Sequence, residues 1–206
     1  MSDIIREPQQ SRSIEKKQKI IEAGLKVFSE KGYYNTNTAE IAKVAGVSTG
    51  IVYGYFKDKK DIFLQSLELY FNHVLEPLEE AFDSMPKDQN LEDTLVEFID
   101  VFIKSHRDNA ISHEEMLAMS HLDKNVHDYF VNIEYKFTSL IKERLIKMGL
   151  DETHLNEKVH IAYNMIESLC HECVYHKHPD IDYDVMKDAI VRLLLDLFNN
   201  QSEFEY

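Results

Sequence analysis

The sequence predicts an all-α protein. Apolar residues recur three and four positions apart along most of the 206 residues, and no segment alternates apolar and polar residues as a half-buried strand does. The chain has 6 glycines and 4 prolines, too few to punctuate the many short strands and turns of an all-β fold. With 44% hydrophobic and 29% charged residues, it has the composition of a globular protein with a sizeable core.

Three helices are predicted at the N-terminal end. The first begins near Ile14 and ends at Gly32, because glycine is a common helix stop. The second, of about eight residues, follows Thr38, which stands at the expected N-cap position. Gly46 ends this helix, and Ser48 is the expected N-cap of the third.

Longer helices are predicted in the rest of the chain. The fourth begins after Asp58. Asp58 and Asp61, three residues apart, resemble a capping box. Because Pro77 lies inside the apolar pattern of this helix, the helix is expected either to kink or to end there. Five further helices are predicted at roughly residues 91–105, 110–120, 124–148, 155–177 and 184–199.

Charge is distributed unevenly along the chain. Residues 1–61 hold 11 Lys and Arg against 8 Asp and Glu, whereas residues 62–206 hold 12 against 29, so the net charges are +3 and −17. Phosphates repel the acidic part, and a polyanion is therefore expected to meet only the N-terminal part.

Several classes of protein are disfavoured by what the sequence lacks. It shows no signal peptide and no uninterrupted apolar stretch of the roughly 18 residues that a membrane helix needs, so we expect a cytoplasmic protein without membrane contact. Cys170 and Cys173 are expected to be reduced. Because no nucleophile with a base, phosphate-binding glycine loop or paired carboxylates is recognisable, we predict neither an enzyme nor a cofactor.

Residues 37–56 have the residue types of a helix-turn-helix motif. Ala42 is small where two helices would cross, and Gly46 permits a left-handed turn. Val47 and Val52 would fill the space between the helices. In such a motif the second helix lies in the major groove of DNA with its N-terminal residues at the base edges.

The predicted recognition helix would direct Thr49, Gly50 and Tyr53 toward the groove. A glycine in a helix interior costs about 1 kcal/mol relative to alanine, so Gly50 and Gly54 need a compensating role. Close approach to DNA and tight packing against another helix would both provide one. Tyr53 could belong to the core, but its neighbour Val52 already supplies the inward face, which favours a contact with DNA.

A family resemblance is carried by the string TAEIAKVAGVSTGIVYGYFKDKKDIF, preceded by FSEKGYYNT. It resembles the DNA-binding domain of the tetracycline-repressor (TetR) family of bacterial transcription regulators. The resemblance implies an all-helical homodimer in which three N-terminal helices bind a palindromic operator and a larger C-terminal domain binds a small-molecule effector. The implied domains are a flexible tail at residues 1–13, the helix-turn-helix domain at 14–74, and a helical ligand-binding and dimerisation domain at 75–206.

The resemblance also implies a set of DNA contacts. Thr38 would contact phosphate at the start of the second helix, and Tyr55 and Lys59 would contact backbone phosphates. The lysines around Lys59 could instead form a solvated cap region, but their position beside a helix start favours phosphate contact. The implied DNA-binding residues are Thr38, Ser48, Thr49, Gly50, Tyr53, Tyr55 and Lys59.

For the C-terminal part, the resemblance implies that the last two helices pair with their copies in a second subunit. An apolar stripe in the last helix is wider than a monomer of this size requires, although an intramolecular core is the alternative. The preceding helices would enclose an effector cavity, for which aromatic and Met residues suit an apolar or amphipathic ligand. The stripe comprises Ile190, Leu193, Leu194, Leu197 and Phe198, and the candidate cavity residues are Tyr70, His73, Phe98, Phe102, Met116, Met119, Tyr129 and Phe130.

The run CHECVYHKH at residues 170–178 is the best sequence candidate for a metal site. Glu172, Cys173 and His176 could meet on one helical face and bind Zn²⁺. Histidines that cap a helix end, or a cysteine buried at an interface, explain the run more simply, so no metal is predicted.

Taken together, these observations predict a repressor that releases its operator when an effector binds the C-terminal domain. An architectural DNA-binding protein, and an enzyme or transport protein with an accessory helix-turn-helix, are the alternatives. The acidic body argues against the architectural protein, which would gain from positive charge throughout.

Overall fold

The computed structural model describes residues 11–86, 88–108 and 110–199, with the side chains of 110–115 left aside. Residues 1–10 of the tail predicted at residues 1–13 lie outside this described part. In the described part all regular structure is helical and no strand occurs, so the predicted all-α class is confirmed. The helices are α1 (Ser11–Lys31), α2 (Thr38–Ala45), α3 (Thr49–Tyr53), α4 (Lys59–Ser84), α5 (Leu91–Asp108), α6 (Ala110–Leu122), α7 (Lys124–Lys147), α8 (Leu155–Val174) and α9 (Tyr183–Asn199).

The helix bounds follow the apolar periodicity closely. The five helices predicted beyond residue 90 are confirmed to within three residues at each end, which is the precision expected of helix termini. At Pro77 the helix does not end, because α4 continues through the proline to Ser84. None of the described helices is both long and apolar enough to cross a membrane.

The N-terminal cap of α2 differs from the prediction. Thr38 is the first helical residue, and Asn37 is the N-cap, so the prediction of Thr38 as N-cap is wrong. The backbone of Asn37 is extended, and its side-chain oxygen accepts a hydrogen bond of 3.0 Å from the Glu40 N–H. This amide oxygen satisfies a donor that the helix itself leaves unpaired, which explains why asparagine occupies the position.

The predicted caps of α3 and α4 are confirmed. Ser48 is the N-cap residue of α3, with an extended backbone. Before α4, Asp58 accepts a hydrogen bond of 2.9 Å from the Asp61 N–H. The Asp61 carboxylate in turn accepts one of 3.0 Å from the Lys57 N–H, one residue before the position of an ideal capping box.

The described chain forms two compact units. The first unit contains the residues up to His73 together with Ile111–Phe130, and the second contains Val74–Ala110 together with the residues from Val131 onward. The first unit therefore includes more of the chain than the segment 14–74.

In the first unit, α1 packs on α2 and α2 on α3, with the aromatic ring of Phe28 edge-on to that of Phe63 at 5.1 Å between centroids. Gly24 lies where α1 passes close to α4. A Cβ at this position would lie 2.7 Å from Ile62 Cγ2 and 2.8 Å from Ser66 Oγ, so a larger residue would force these neighbours on α4 to move.

In the second unit, α5 packs on α8 and α9. A cluster of aromatic side chains fills the space beside α5, with ring centroids 5.1–5.9 Å apart. Such spacings are those of favourable aromatic pairs. The cluster consists of Phe82, Phe98, Phe102 and Phe137.

Candidate nucleic-acid interface and effector cavity

A tight left-handed turn joins α2 to α3. Gly46 has φ 69° and ψ 31°, a conformation that favours glycine. The Val47 N–H donates a hydrogen bond of 3.0 Å to the Ala42 carbonyl, which closes the end of α2. Val52 of α3 is completely buried. The turn and this buried side chain fix α3 against α2 in the arrangement of a helix-turn-helix.

The other face of α3 is open to solvent. Ser48 and Gly50 are exposed, Thr49 is half-buried, and the side chain of Tyr53 is 53% exposed. The Tyr53 hydroxyl forms a hydrogen bond of 3.0 Å with that of Thr38. Two of the residues with implied DNA contacts, one from each helix of the motif, are thus joined at the surface, and Tyr53 does not belong to the core.

The surroundings of the two glycines distinguish between the roles considered for them. A Cβ at Gly50 would have Ser48 Oγ as its nearest described neighbour, at 4.0 Å. At Gly54 the closest atom is the Ile51 carbonyl oxygen of its own turn, at 3.2 Å. Within the described residues, packing against another helix therefore explains neither glycine, and the open face at Gly50 has room for a close ligand.

Tyr55 and Lys59 both make contacts inside the first unit. The Tyr55 hydroxyl is hydrogen-bonded to Ser13 of α1 at 2.8 Å. The Lys59 ammonium donates hydrogen bonds to the carbonyls of Tyr33 at 2.7 Å and Thr36 at 2.8 Å, and it lies 4.2 Å from the centroid of the Tyr33 ring. Partial burial lowers the pKa of Lys59. This lysine therefore holds the α1–α2 loop to the start of α4, a role that spacing alone does not predict.

The lysines beside Lys59 differ in their surroundings. Lys57 is exposed. Lys60 forms a 2.7 Å ion pair with Asp123, also in the first unit, and the hydrogen bond from Lys60 lowers the pKa of Asp123. The two later lysines of the cluster are consequently positioned by specific contacts, whereas Lys57 lies at the surface.

The candidate effector residues fall into both units. In the first, Tyr70, Met116 and Met119 are buried, Tyr129 and Phe130 are partly buried, and His73 is exposed. Burial, together with the nearby Glu68, raises the pKa of Tyr129 to about 12. In the second, Phe98 and Phe102 are buried in the aromatic cluster.

An apolar cavity of about 20 Å³ lies inside the second unit. This volume holds about one water molecule. Of the candidate effector residues, Phe98 lines this cavity, and Phe198 of the apolar stripe of α9 lines it too. The other lining residues, which were not among the candidates, are Phe82, Thr94, Leu95, Ile141, Arg144, Leu145, Ala162, Tyr163 and Ile166.

The apolar stripe of α9 is divided between two surroundings. Ile190, Leu194 and Phe198 are buried within the second unit, as in an intramolecular core. Leu197 is partly buried, and Leu193 is 56% exposed. One side of the stripe therefore packs in the core, and Leu193 lies at the surface.

The residues of the run 170–178 have separate environments in the described structure. Cys173 is buried, and burial raises the pKa of its thiol. Glu172 accepts a hydrogen bond of 3.3 Å from Tyr183, whereas His176 is exposed. Cys170 and Cys173 are free thiols, as predicted.

A cluster that the sequence reasoning missed lies in the second unit. His106 of α5 lies close to Glu167 and His171 of α8, with all three ligand atoms within 4.8 Å of one another. The spacing of four residues between Glu167 and His171 is a signal readable in the sequence. The third member is 61 positions away from Glu167, so only the fold brings it there.

The helix-turn-helix region is similar to that of known proteins. A model of bacterial regulatory proteins of the tetR family matches residues 20–65. The HTH-type transcriptional regulator HbdR of Aromatoleum sp. (strain CIB) is 50% identical over 54 residues, which are 26% of this chain and 24% of HbdR. The chain thus matches about a quarter of the length of HbdR.

Two other similarities extend over most of the chain. The uncharacterized HTH-type transcriptional regulator YerO of Bacillus subtilis (strain 168) is 24% identical over 196 residues, which are 91% of this chain and 66% of YerO. The crystal structure of a TetR-family regulator from Mesorhizobium loti MAFF303099 matches with a TM-score of 0.74 at 19% identity, over 91% of this chain and 98% of that one, and so shares its fold. HbdR and YerO are both transcriptional regulators by name. Over residues 20–65 the chain is therefore similar to bacterial regulatory proteins of the tetR family, and it shares the fold of the Mesorhizobium loti protein.

Proposed function

We propose that this protein is a sequence-specific transcriptional repressor that releases its operator when a small molecule binds the second unit. The observation that carries the proposal is the exposed face of α3, where Tyr53 is hydrogen-bonded to Thr38 of α2. A hydroxyl pair of this kind preorganises both side chains for contact with DNA, Tyr53 toward a base edge and Thr38 toward a phosphate.

The remaining implied contacts surround this pair. Ser48, Thr49 and Gly50 lie at the N-terminal end of α3, which in a helix-turn-helix protein approaches the base edges. Gly50 permits the closest approach, because the space around it is open. Tyr55 and Lys59 would contact phosphates while keeping their bonds to α1 and to the α1–α2 loop.

A homodimer would present two such helices to a palindromic operator. The helix α9 is apolar on two sides, since Ile190, Leu194 and Phe198 face the core while Val185 and Leu193 are 63% and 56% exposed. Two exposed apolar residues eight positions apart lie on one face of a helix, and a second subunit would cover this face. Ile161 of α8, 42% exposed, would extend the same interface.

The effector would enter the apolar cavity of the second unit. Drug-sized ligands need roughly 300–1,000 Å³, far more than the about 20 Å³ available here. An effector therefore has to enlarge the cavity by separating the helices that line it, and binding favours that expanded state. Its lining suits an apolar or amphipathic molecule.

Linkage would then relieve repression. If the expanded state changes the separation of the two recognition helices, that separation no longer matches half-sites about 34–36 Å apart, and operator affinity falls. Because the partner is chromosomal DNA, the protein would act in the cytoplasm.

Selection of bound sequences from a random double-stranded library tests the proposal. With purified protein at physiological salt, we expect a palindromic consensus that the Tyr53→Ala variant no longer enriches. Absence of enrichment with the wild-type protein would contradict sequence-specific binding. A screen of effectors on the selected operator follows, and unchanged affinity with every compound would contradict the sensing part alone.

A further inference from the structure

Three side chains of the second unit converge on one point between α5 and α8. His106 Nε2 lies 3.3 Å from one carboxylate oxygen of Glu167, and His171 Nε2 lies 3.5 Å from the other. Two donor atoms that bind the same tetrahedral zinc ion are about 3.4 Å apart, given bond lengths near 2.1 Å. Each of the two nitrogen–oxygen distances is close to this value, and one ligand atom from each of the three residues lies within 4.8 Å of the others.

The orientation of His106 supports the same interpretation. Its Nδ1 lies 3.0 Å from the Phe102 carbonyl oxygen. Because a carbonyl oxygen can only accept, Nδ1 carries the proton, and in the neutral ring the lone pair is on Nε2, the atom nearest Glu167. Histidine ligands of metals usually donate their other N–H to a carbonyl or a carboxylate, which fixes the tautomer and the ring plane.

The cluster is mostly buried. The side chain of His106 is 4% exposed, and those of Glu167 and His171 are 23% and 19% exposed. The Glu167 carboxylate would balance part of the charge of a cation bound beside it. The partial exposure of His171 gives an ion a way in from solvent.

We propose that His106, Glu167 and His171 form a binding site for a transition-metal ion of the Zn²⁺ class that ties α5 to α8. Imidazole nitrogens and a carboxylate oxygen suit zinc, and two histidines with one glutamate leave a fourth position for water or another donor. The inference goes beyond the proposed repressor, because the site needs neither DNA nor a second subunit.

Metal titration of the full-length protein tests the site. After treatment with a chelator and its removal, calorimetry with Zn²⁺ should give one ion per chain, and Co²⁺ should show the visible absorption of a four-coordinate site. The Tm should rise with Zn²⁺ and return to its metal-free value when chelator is added. The His106→Gln and His171→Gln variants should each bind about 100-fold more weakly or worse.

A matched control uses another imidazole–carboxylate pair of the same unit. His160 Nδ1 lies 3.1 Å from Glu134, but His160 is 62% exposed, and His160→Gln should leave Zn²⁺ affinity unchanged. If a histidine variant fails to fold, Glu167→Gln keeps the shape of the side chain, removes the anionic ligand and should abolish the Tm shift.

Two results would overturn the proposal. One is a wild-type protein that binds no Zn²⁺ or Co²⁺, which would leave the cluster as an ion pair between a protonated histidine and Glu167. The other is equal loss of binding in His160→Gln and in the cluster variants, which would mean that surface histidines bind the metal without a defined site. Neither result affects the selection experiment on DNA, so the two proposals fail separately.

Discussion

The features that characterise each of the two units differ in kind. In the first unit, individual polar groups and one glycine fix the geometry, as when Asn37 caps α2 and Gly24 lets α1 lie against α4. In the second unit, the aromatic cluster around Phe98 and Phe102 fills space without directed bonds. Directed contacts require particular residues, whereas many sequences can fill an apolar volume.

This difference explains where function can be recognised in the sequence. A motif that depends on directed contacts keeps its residue types, and residues 20–65 match a family model. An apolar interior can change its residues and so the ligand it accepts, which leaves only periodicity to read. Substitutions in both units test this difference.

The largest effect is expected at the exposed apolar face of α9. The Leu193→Glu change places a charge where a second subunit would cover an apolar side chain, so the dimer should dissociate and operator affinity should fall by about 100-fold or more. Light scattering after size-exclusion chromatography gives the mass. Val131→Glu, at a 50% exposed residue of α7, is the control and should remain dimeric. A dimeric Leu193→Glu protein would rule out this face as the interface.

A smaller effect is expected at the recognition helix. Tyr53→Ala should weaken operator binding by roughly 10- to 100-fold, the equivalent of about 1–3 kcal/mol for a lost base contact, and leave binding to random DNA nearly unchanged. Fluorescence anisotropy with both DNAs measures the ratio. Tyr135→Ala, which removes a tyrosine 71% exposed in the second unit, should change neither affinity. Equal losses on both DNAs for Tyr53→Ala would contradict base reading.

Two glycines of the first unit should respond in opposite ways to the same substitution. Gly24→Ala should lower the free energy of unfolding by about 1–3 kcal/mol, because its methyl group would meet Ile62 and Ser66. Gly50→Ala should leave this free energy unchanged or raise it by up to about 1 kcal/mol, since its methyl group has open space, and should weaken operator binding. Urea unfolding followed by circular dichroism measures both. A destabilised Gly50→Ala protein would mean that packing, not DNA, requires the glycine.

The smallest effect is expected at the start of α2. Asn37→Ala removes the N-cap hydrogen bond to Glu40 and should lower the free energy of unfolding by about 1 kcal/mol. Thr38→Ala, one residue later, should affect stability less and DNA binding more, because its hydroxyl bonds to Tyr53. The reverse order of stabilities would contradict the assignment of Asn37 as the cap.

Much of the fold was predictable from periodicity and breakers, and the errors have physical reasons. Asn37 and Thr38 are both good N-cap residues, so the sequence cannot choose between them, and the choice depends on which backbone is extended. Pro77 was compatible with a kinked helix or an ended one, and α4 continues through it, with Val74 before it and Leu78 after it both buried.

The candidate site was predictable only in part. The exposure of Tyr53 was predictable from the inward position of Val52, because neighbouring residues of a helix point in different directions. The bonds of Lys59 to the loop carbonyls and the approach of His106 to Glu167 did not, since they join residues more than 20 positions apart. Likewise, periodicity marks apolar residues without showing which of them line a cavity.

We propose that two copies of this chain read two half-sites of one operator through α3. Hydroxyl-radical footprinting of the wild-type protein on the selected operator, with the stoichiometry measured in parallel, tests this proposal. We expect two chains for each operator, or a multiple of two, and protected segments centred about one helical turn, 34–36 Å, or a multiple of it apart. One chain bound to one protected segment, or uniform protection along the DNA, would contradict it.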